Sequence, residues 1–141
     1  MALNARLQFG DNESQRYTQE YLVTNLHCHF TRHHNQFIPD TDARCEHVEI
    51  TVVAPGNQDL TLYEWYISQS AMNGRVIVDL INPVSGDNTT PKVLMFEDAF
   101  CLSIAENYHI DTHARRSLKL SFIADKIIVS DIQFKNLYNQ Y

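Results

Sequence analysis

Leu62-Tyr63-Glu64-Trp65-Tyr66-Ile67 carries the only tryptophan of the chain and sits between segments with the two-residue period of strands. Its apolar residues do not keep to one side. Leu62, Trp65, Tyr66 and Gln69 make one stripe at helical spacing, while Leu60, Tyr63 and Ile67 fall on other faces. A helix packed on its own sheet needs a single apolar stripe, so a helix apolar around most of its circumference calls for cover from two sides. In a chain of 141 residues the second cover is most simply another subunit. Asp59 or Thr61 offers an N-cap, and Thr61 with Glu64 has capping-box spacing. Asn73-Gly74 offers a left-handed stop, which predicts a helix from Asp59 to Met72.

Upstream of the helix, Leu3, Ala5, Leu7 and Phe9 alternate with polar residues as in a half-buried strand that ends at Gly10-Asp11-Asn12. Tyr21 to Phe30 reads as a second strand, with Leu22, Leu26, Cys28 and Phe30 on one face. Thr31 to Arg44 has no consistent period, and its apolar pair Phe37-Ile38 before Pro39 calls for a cover. Loops of that length inside a compact domain are usually functional or disordered. Alternation returns from His47 to Val53, with Val48, Ile50 and Val52 facing one way.

Downstream, Val76 to Ile81 is almost unbroken apolar, the pattern of a strand covered on both faces. After the turn-rich Asn82 to Pro91, a long strand runs from Lys92 to Ala105 with Leu94, Phe96, Phe100, Leu102 and Ile104 in one parity. Glu97-Asp98 interrupts that parity, which predicts a bulge or bend. Glu106 to His113 reads as a connection. A last strand follows from Leu118, with Asp125-Lys126 as a second bend or hairpin before Ile127 to Phe134. The pattern predicts a mainly β (α+β) chain: one domain over residues 1–141, an antiparallel β-barrel of about seven strands with one α-helix on its side.

The formal charge of −6 gives no general attraction to nucleic acid or anionic lipid, and no apolar run reaches membrane-spanning length. Cys28, Cys45 and Cys101 are too few and too scattered for a disulfide framework, and Met1 to Gly10 lacks a signal-peptide apolar block. The chain therefore reads as cytoplasmic at synthesis, with reduced thiols.

Histidines are the main lure for chemistry. His27 and His29 lie two apart on one strand face, and Cys45 or His47 could complete a zinc-like set. The competing reading is a plain polar face opposite Leu26, Cys28 and Phe30. His33-His34 reads as solvated loop, and His109 with His113 lacks an evident partner. Glu97 and Asp98 point to opposite faces and cannot form a carboxylate pair. Arg115-Arg116 has no aromatic platform, no glycine is placed to cradle phosphate, and Cys101 falls within a strand where burial keeps a thiol inert. No catalytic residue, cofactor or metal is assigned.

Taken in order, several segments resemble one family. They are the helix Leu62 to Ile67, the strand Gly74 to Leu80, and Lys92-Val93-Leu94-Met95-Phe96-Glu97-Asp98-Ala99-Phe100-Cys101. Leu118 to Ile128 and the close Asp131-Ile132-Gln133-Phe134-Lys135-Asn136 complete the series. This order resembles the tube protein of type VI secretion systems, the haemolysin-coregulated protein (Hcp/TssD) family, in its Bacteroidetes-type branch. The resemblance implies a β-barrel with one flanking helix that forms hexameric rings. Such rings stack into a tube that a contractile sheath expels with its spike, and some carry effector proteins. It implies no enzymatic role, secretion through the apparatus itself, and a ring-to-ring contact from the loop at Thr31 to Arg44. Pro39 and Arg44 match the family outline of that loop, whereas Asp40, Asp42, Cys45 and Glu46 replace its basic and glycine-rich character.

The candidate oligomer interface is thus Phe37, Ile38, Pro39, Arg44, Tyr63, Trp65 and Ile67. Two rivals stand beside it: a monomeric β-barrel metal-binding module or small metal-dependent enzyme using His27, His29 and His47, and a family member that binds cargo without polymerising.

Overall fold

Alternating inward residues such as Val48, Ile50 and Val52 are buried together when the sheet that carries them curls back on itself. That is the architecture found. The computed structural model describes residues 5–31, 34–35, 38–39, 44–56, 58–79, 84, 91–109, 115–129 and 132–135. The elements are β1 (Ala5–Asp11), β2 (Arg16–Thr31), β3 (His34–Asn35), β4 (Ile38–Pro39), β5 (Arg44–Val53) and α1 (Thr61–Ser68), followed by β6 (Met72–Val78), β7 (Lys92–His109), β8 (Arg115–Val129) and β9 (Ile132–Lys135). Strand order is β5-β2-β1-β6-β7-β8-β9, and β5 also pairs with β8, so six strands close the antiparallel barrel. Short β9 lies outside that ring on β8, from Val129↔Ile132 to Lys126↔Lys135. The expectation of about seven strands differs only by this appended strand.

Inward parity is reset by bulges, one of which the sequence pattern marked and others of which it concealed. On β2 the register steps from Val23↔Val52 to Asn25↔Thr51, leaving Thr24 as the extra residue. Tyr21 and Val23 therefore face the core before the bulge, and Leu26 and Cys28 pack against it afterwards. Leu22, expected inward, is exposed for the same reason. On β7 the bulge expected at Glu97-Asp98 is present: Asp98 has φ 53, and two β7 residues stand opposite Asn73 between the pairs Gly74↔Phe96 and Met72↔Ala99. The Asn73 side-chain oxygen accepts the Asp98 N–H at 2.8 Å, which fixes the bend. Leu94 and Phe96 face inward before it, Ala99 after it, and Phe100 and Leu102 are turned away from the core. Asp125-Lys126 shifts phase in step, with Lys126 3.8 Å from Glu97, but β8 continues through it, so this is a bend and not a hairpin.

Other boundaries moved. Glu106 to His109 belong to β7, not to a connection. Within Thr31 to Arg44, expected to be without regular structure, β3 and β4 pair at His34↔Pro39 and Asn35↔Ile38. Helix α1 spans eight residues rather than the longer stretch expected. Leu60 occupies the N-cap position with no side-chain cap, so the capping box is not formed. Asp59 Oδ1 instead accepts the Thr61 N–H at 3.1 Å, and the Thr61 hydroxyl accepts from Gln19 at 2.5 Å. Left-handed Gln69 (φ 56) ends the helix. Asn73-Gly74 lies inside β6, where the glycine serves close packing: a Cβ there would sit 2.3 Å from the Gln8 carbonyl oxygen and 2.8 Å from the Phe96 ring.

The core is an aromatic-centred cluster. Trp65 lies 5.2 Å from Phe9 on β1 and 5.5 Å from Phe122 on β8, strands that are not neighbours, so the indole bridges the barrel interior. Its Nε1 donates to the Ala99 carbonyl at 2.9 Å. Phe96 completes the set at 6.0 Å from Phe9 and 5.0 Å from Phe122. Each such ring pair adds about 0.5–1.5 kcal/mol beyond area burial.

Candidate functional site

Helix α1 presents two kinds of surface. Leu62 and Trp65 are buried in their own chain, so the double cover argued from the helix pattern is supplied from inside on this side only. Tyr66 and Ile67 are exposed, Ile67 to 74%. Of the three helical residues expected at an oligomer interface, Trp65 is therefore a core residue, whereas Ile67 remains open and Tyr63 is half-buried.

Tyr63 is tied to the far part of β7. Its hydroxyl donates to Glu106 Oε1, and Tyr108 donates to Oε2 of the same carboxylate at 2.9 Å. These two hydrogen bonds hold the Glu106 carboxyl below the usual carboxylate range. Just before the helix, Tyr21 donates to the Asp59 carboxylate at 3.1 Å. Burial, with Asp59 acting the same way, pushes the Tyr21 hydroxyl up to about 12. The helix is thus anchored to β2 at its start and to β7 along its length.

Between the helix end and β7 runs an open groove of about 550 Å³ lined by Tyr66, Ile67, Gln69, Phe100, Cys101 and Leu102. None of the described residues that line it is charged. Burial pushes the Cys101 thiol up to about 11, so it is a protonated, weakly nucleophilic wall residue. The pattern of β7 hid this surface, because Phe100 and Leu102 share the parity of Phe96 and only the bulge turns them outward.

The remaining interface candidates lie in the segment after β2. Phe37 falls outside the described residues, Ile38 and Pro39 form β4, and Arg44 opens β5. Histidines expected as possible ligands sit on the outer face of β2 and β5. His27 pairs with Glu49, and His29 pairs with His47 at 6.2 Å between stacked rings. His47 also lies 3.7 Å from Glu49, which Lys119 approaches at 3.7 Å. Cys45 points the other way and is fully buried, so it cannot join them. Among the described residues no group of three or more His, Cys, Asp or Glu is placed to hold a metal ion, and the zinc-like set is not assembled. No described helix is long and apolar enough to cross a membrane.

No curated protein matches the chain at the sequence level. Solved structures do match its fold. Hcp1 from Flavobacterium johnsoniae superposes with a TM-score of 0.65 at 19% identity, covering 94% of this chain and 99% of that one. The secreted protein Hcp3 from Pseudomonas aeruginosa gives 0.64 at 14% identity, over 91% and 90%. A type VI secretion system effector from Yersinia pestis gives 0.56 at 9% identity, over 91% and 88%. At such identities these likenesses speak for the barrel and its helix. The family model described as hemolysin coregulated protein Hcp (TssD) matches residues 1–139. A metal-binding module or metal-dependent enzyme finds no support in these matches. The chain belongs to the Hcp (TssD) family and is a type VI secretion tube subunit.

Proposed function

We propose that the chain, folded as one Hcp-like domain over residues 1–141, closes into homohexameric rings that stack into a tube. The observation that carries this reading is the family match across residues 1–139 of a barrel whose helix keeps an exposed apolar side. Head-to-tail contacts close into a ring when the rotation between copies permits, and a ring with two unlike faces can stack. Tyr63 and Ile67 are the helix residues offered to this assembly, with Phe37, Ile38, Pro39 and Arg44 as the contact to the next ring. Trp65 serves it indirectly by fixing the helix. The tube is assembled in the cytoplasm, expelled by a contractile sheath with its spike, and exported through the type VI apparatus itself. Effector proteins travel with it, and the chain's role is structural rather than enzymatic.

Light scattering and negative-stain microscopy at high protein concentration and low salt test the reading. Rings about six subunits in mass support it, and stacked rings support the tube. A strictly monomeric species under those conditions overturns it. Rings that never stack would favour the reading in which the protein binds cargo without polymerising, consistent with the acidic replacements at Asp40, Asp42 and Glu46.

A further inference from the structure

Strand β5 is held differently along its length. From Val48 to Val52 it pairs with β2 on one side and with β8 on the other. Towards Arg44 the described pairing is with β2 alone, through His29↔His47, Phe30↔Cys45 and Thr31↔Arg44. Glu46 is the extra residue at the register shift beyond His29↔His47, and a bulge of this kind interrupts the ladder locally. This tip is therefore the weakly held part of the β2–β5 pair, and the chain runs from it into β3 and β4.

Its titratable groups gather around one carboxylate. His29 and His47 are direct cross-strand partners, with stacked rings 6.2 Å apart. Glu49 lies 3.7 Å from His47 Nε2 and 3.7 Å from Lys119 Nζ on β8, and His27 is its cross-strand partner on β2. Arg44 and Glu46 on β5, and Lys135 on β9 beside it, are the further charged residues of these elements. Imidazole changes charge between about pH 5 and pH 8. Two neutral rings stack without electrostatic cost, and one proton on His47 is balanced by Glu49. A second proton, on His29, sets two cations directly opposite each other, which destabilises a strand pair. Glu49 balances only one of them, and Lys119 already engages it.

We infer that the His29–His47 pair is an acid-sensitive latch on the β2–β5 tip. While one of the two rings is neutral the latch holds, and protonation of both opens the pairs at His29, Phe30 and Thr31. Its contribution is complete above the imidazole range and is lost as pH falls through that range. The barrel itself stays closed, because β5 from Val48 onward is paired on both sides. An open tip also frees the chain that leads to Ile38 and Pro39. That consequence for stacking rests on the ring contact proposed above, whereas the latch does not.

Backbone amide exchange of the full chain at about pH 7.5 and about pH 5.5 tests the latch, read as protection relative to an unstructured chain so that the intrinsic pH dependence cancels. Protection over 29–31 and 45–47 should fall by about threefold or more at the lower pH. Ile50 and Val52, paired on both sides, should keep theirs. His29→Gln leaves one ring of the pair to titrate and should abolish the fall. Glu49→Gln removes the carboxylate that balances His47 and should deepen it. A tip equally protected at both pH values, or a fall that is the same in wild type and His29→Gln, overturns the latch. Negative-stain images at the same two pH values read the consequence separately. Stacks that shorten in acid for the wild type but not for His29→Gln support it. Absence of stacks at both pH values counts against the stacking proposal, and amide exchange still decides the latch.

Discussion

The two halves of β7 carry the same kind of sequence and have opposite fates. Val93 to Phe96 lies between β6 and β8, with Leu94 and Phe96 buried in the barrel. Phe100 to Ala105 is nearly as apolar, yet among the described residues only β8 pairs with it, and Phe100 and Leu102 line an open groove. Helix α1 repeats the contrast, with Leu62 and Trp65 inside and Tyr66 and Ile67 outside. An apolar residue in this chain is therefore either part of the chain's own core or available to a neighbour. On β7 this is decided by the bulge at Glu97-Asp98 together with where the pairing to β6 stops.

The contrast breaks most severely at Trp65. Trp65→Ala removes the ring that bridges Phe9 and Phe122 and leaves the Ala99 carbonyl without its donor. A loss of about 3–5 kcal/mol is expected in chemical denaturation, with assembly lost along with the fold. Gly74→Ala attacks the doubly paired half of β7 from β6. The new methyl would meet the Gln8 carbonyl oxygen and the Phe96 ring. A cost of about 1–3 kcal/mol should appear as an earlier denaturation midpoint without a change in slope.

A smaller effect concerns the anchor between α1 and β2. The Tyr21 hydroxyl is raised to about 12, so the folded state resists its ionisation more than the unfolded chain does. Its contribution is complete below the ordinary tyrosine value of about 10 and is lost as pH rises from there through about 12. Stability of the wild type should fall over that window, and Tyr21→Phe should remove this part of the fall. Wild-type and variant curves that run parallel there would show that Tyr21 is not the group responsible. The smallest stability effect belongs to the outer face. Ile67→Lys should leave the monomer within about 0.5 kcal/mol of wild type, since that side chain packs little against its own chain. Combined with a loss of assembly, this result would separate the two faces of the helix cleanly.

Much of the architecture was legible because alternation is a direct record of a sheet with one buried face. Val48, Ile50 and Val52 point inward as read, and Leu118, Leu120 and Phe122 of the last strand are buried in the same alternation. The polar interruption at Glu97-Asp98 marked its bulge, because in an unbroken strand Asp98 would share the inward parity of Leu94 and Phe96. Thr24 gave no such signal, and Leu22 was placed on the wrong face in consequence. The helix end was misplaced since Asn-Gly serves equally as a stop or as a close-packing position, and local sequence cannot tell the two apart.

By itself the sequence determined the barrel, its single helix and the ordered segments that mark the family, because periodicity and local spacing are properties of the chain alone. Only the tertiary structure decided which apolar residues are left over. Trp65 and Ile67 are two positions apart on one short helix, and nothing local says that one bridges the barrel while the other faces an open slot. That division depends on the bulges that reset parity and on β6 ending opposite Ala99, which are facts about strand partners distant in the chain.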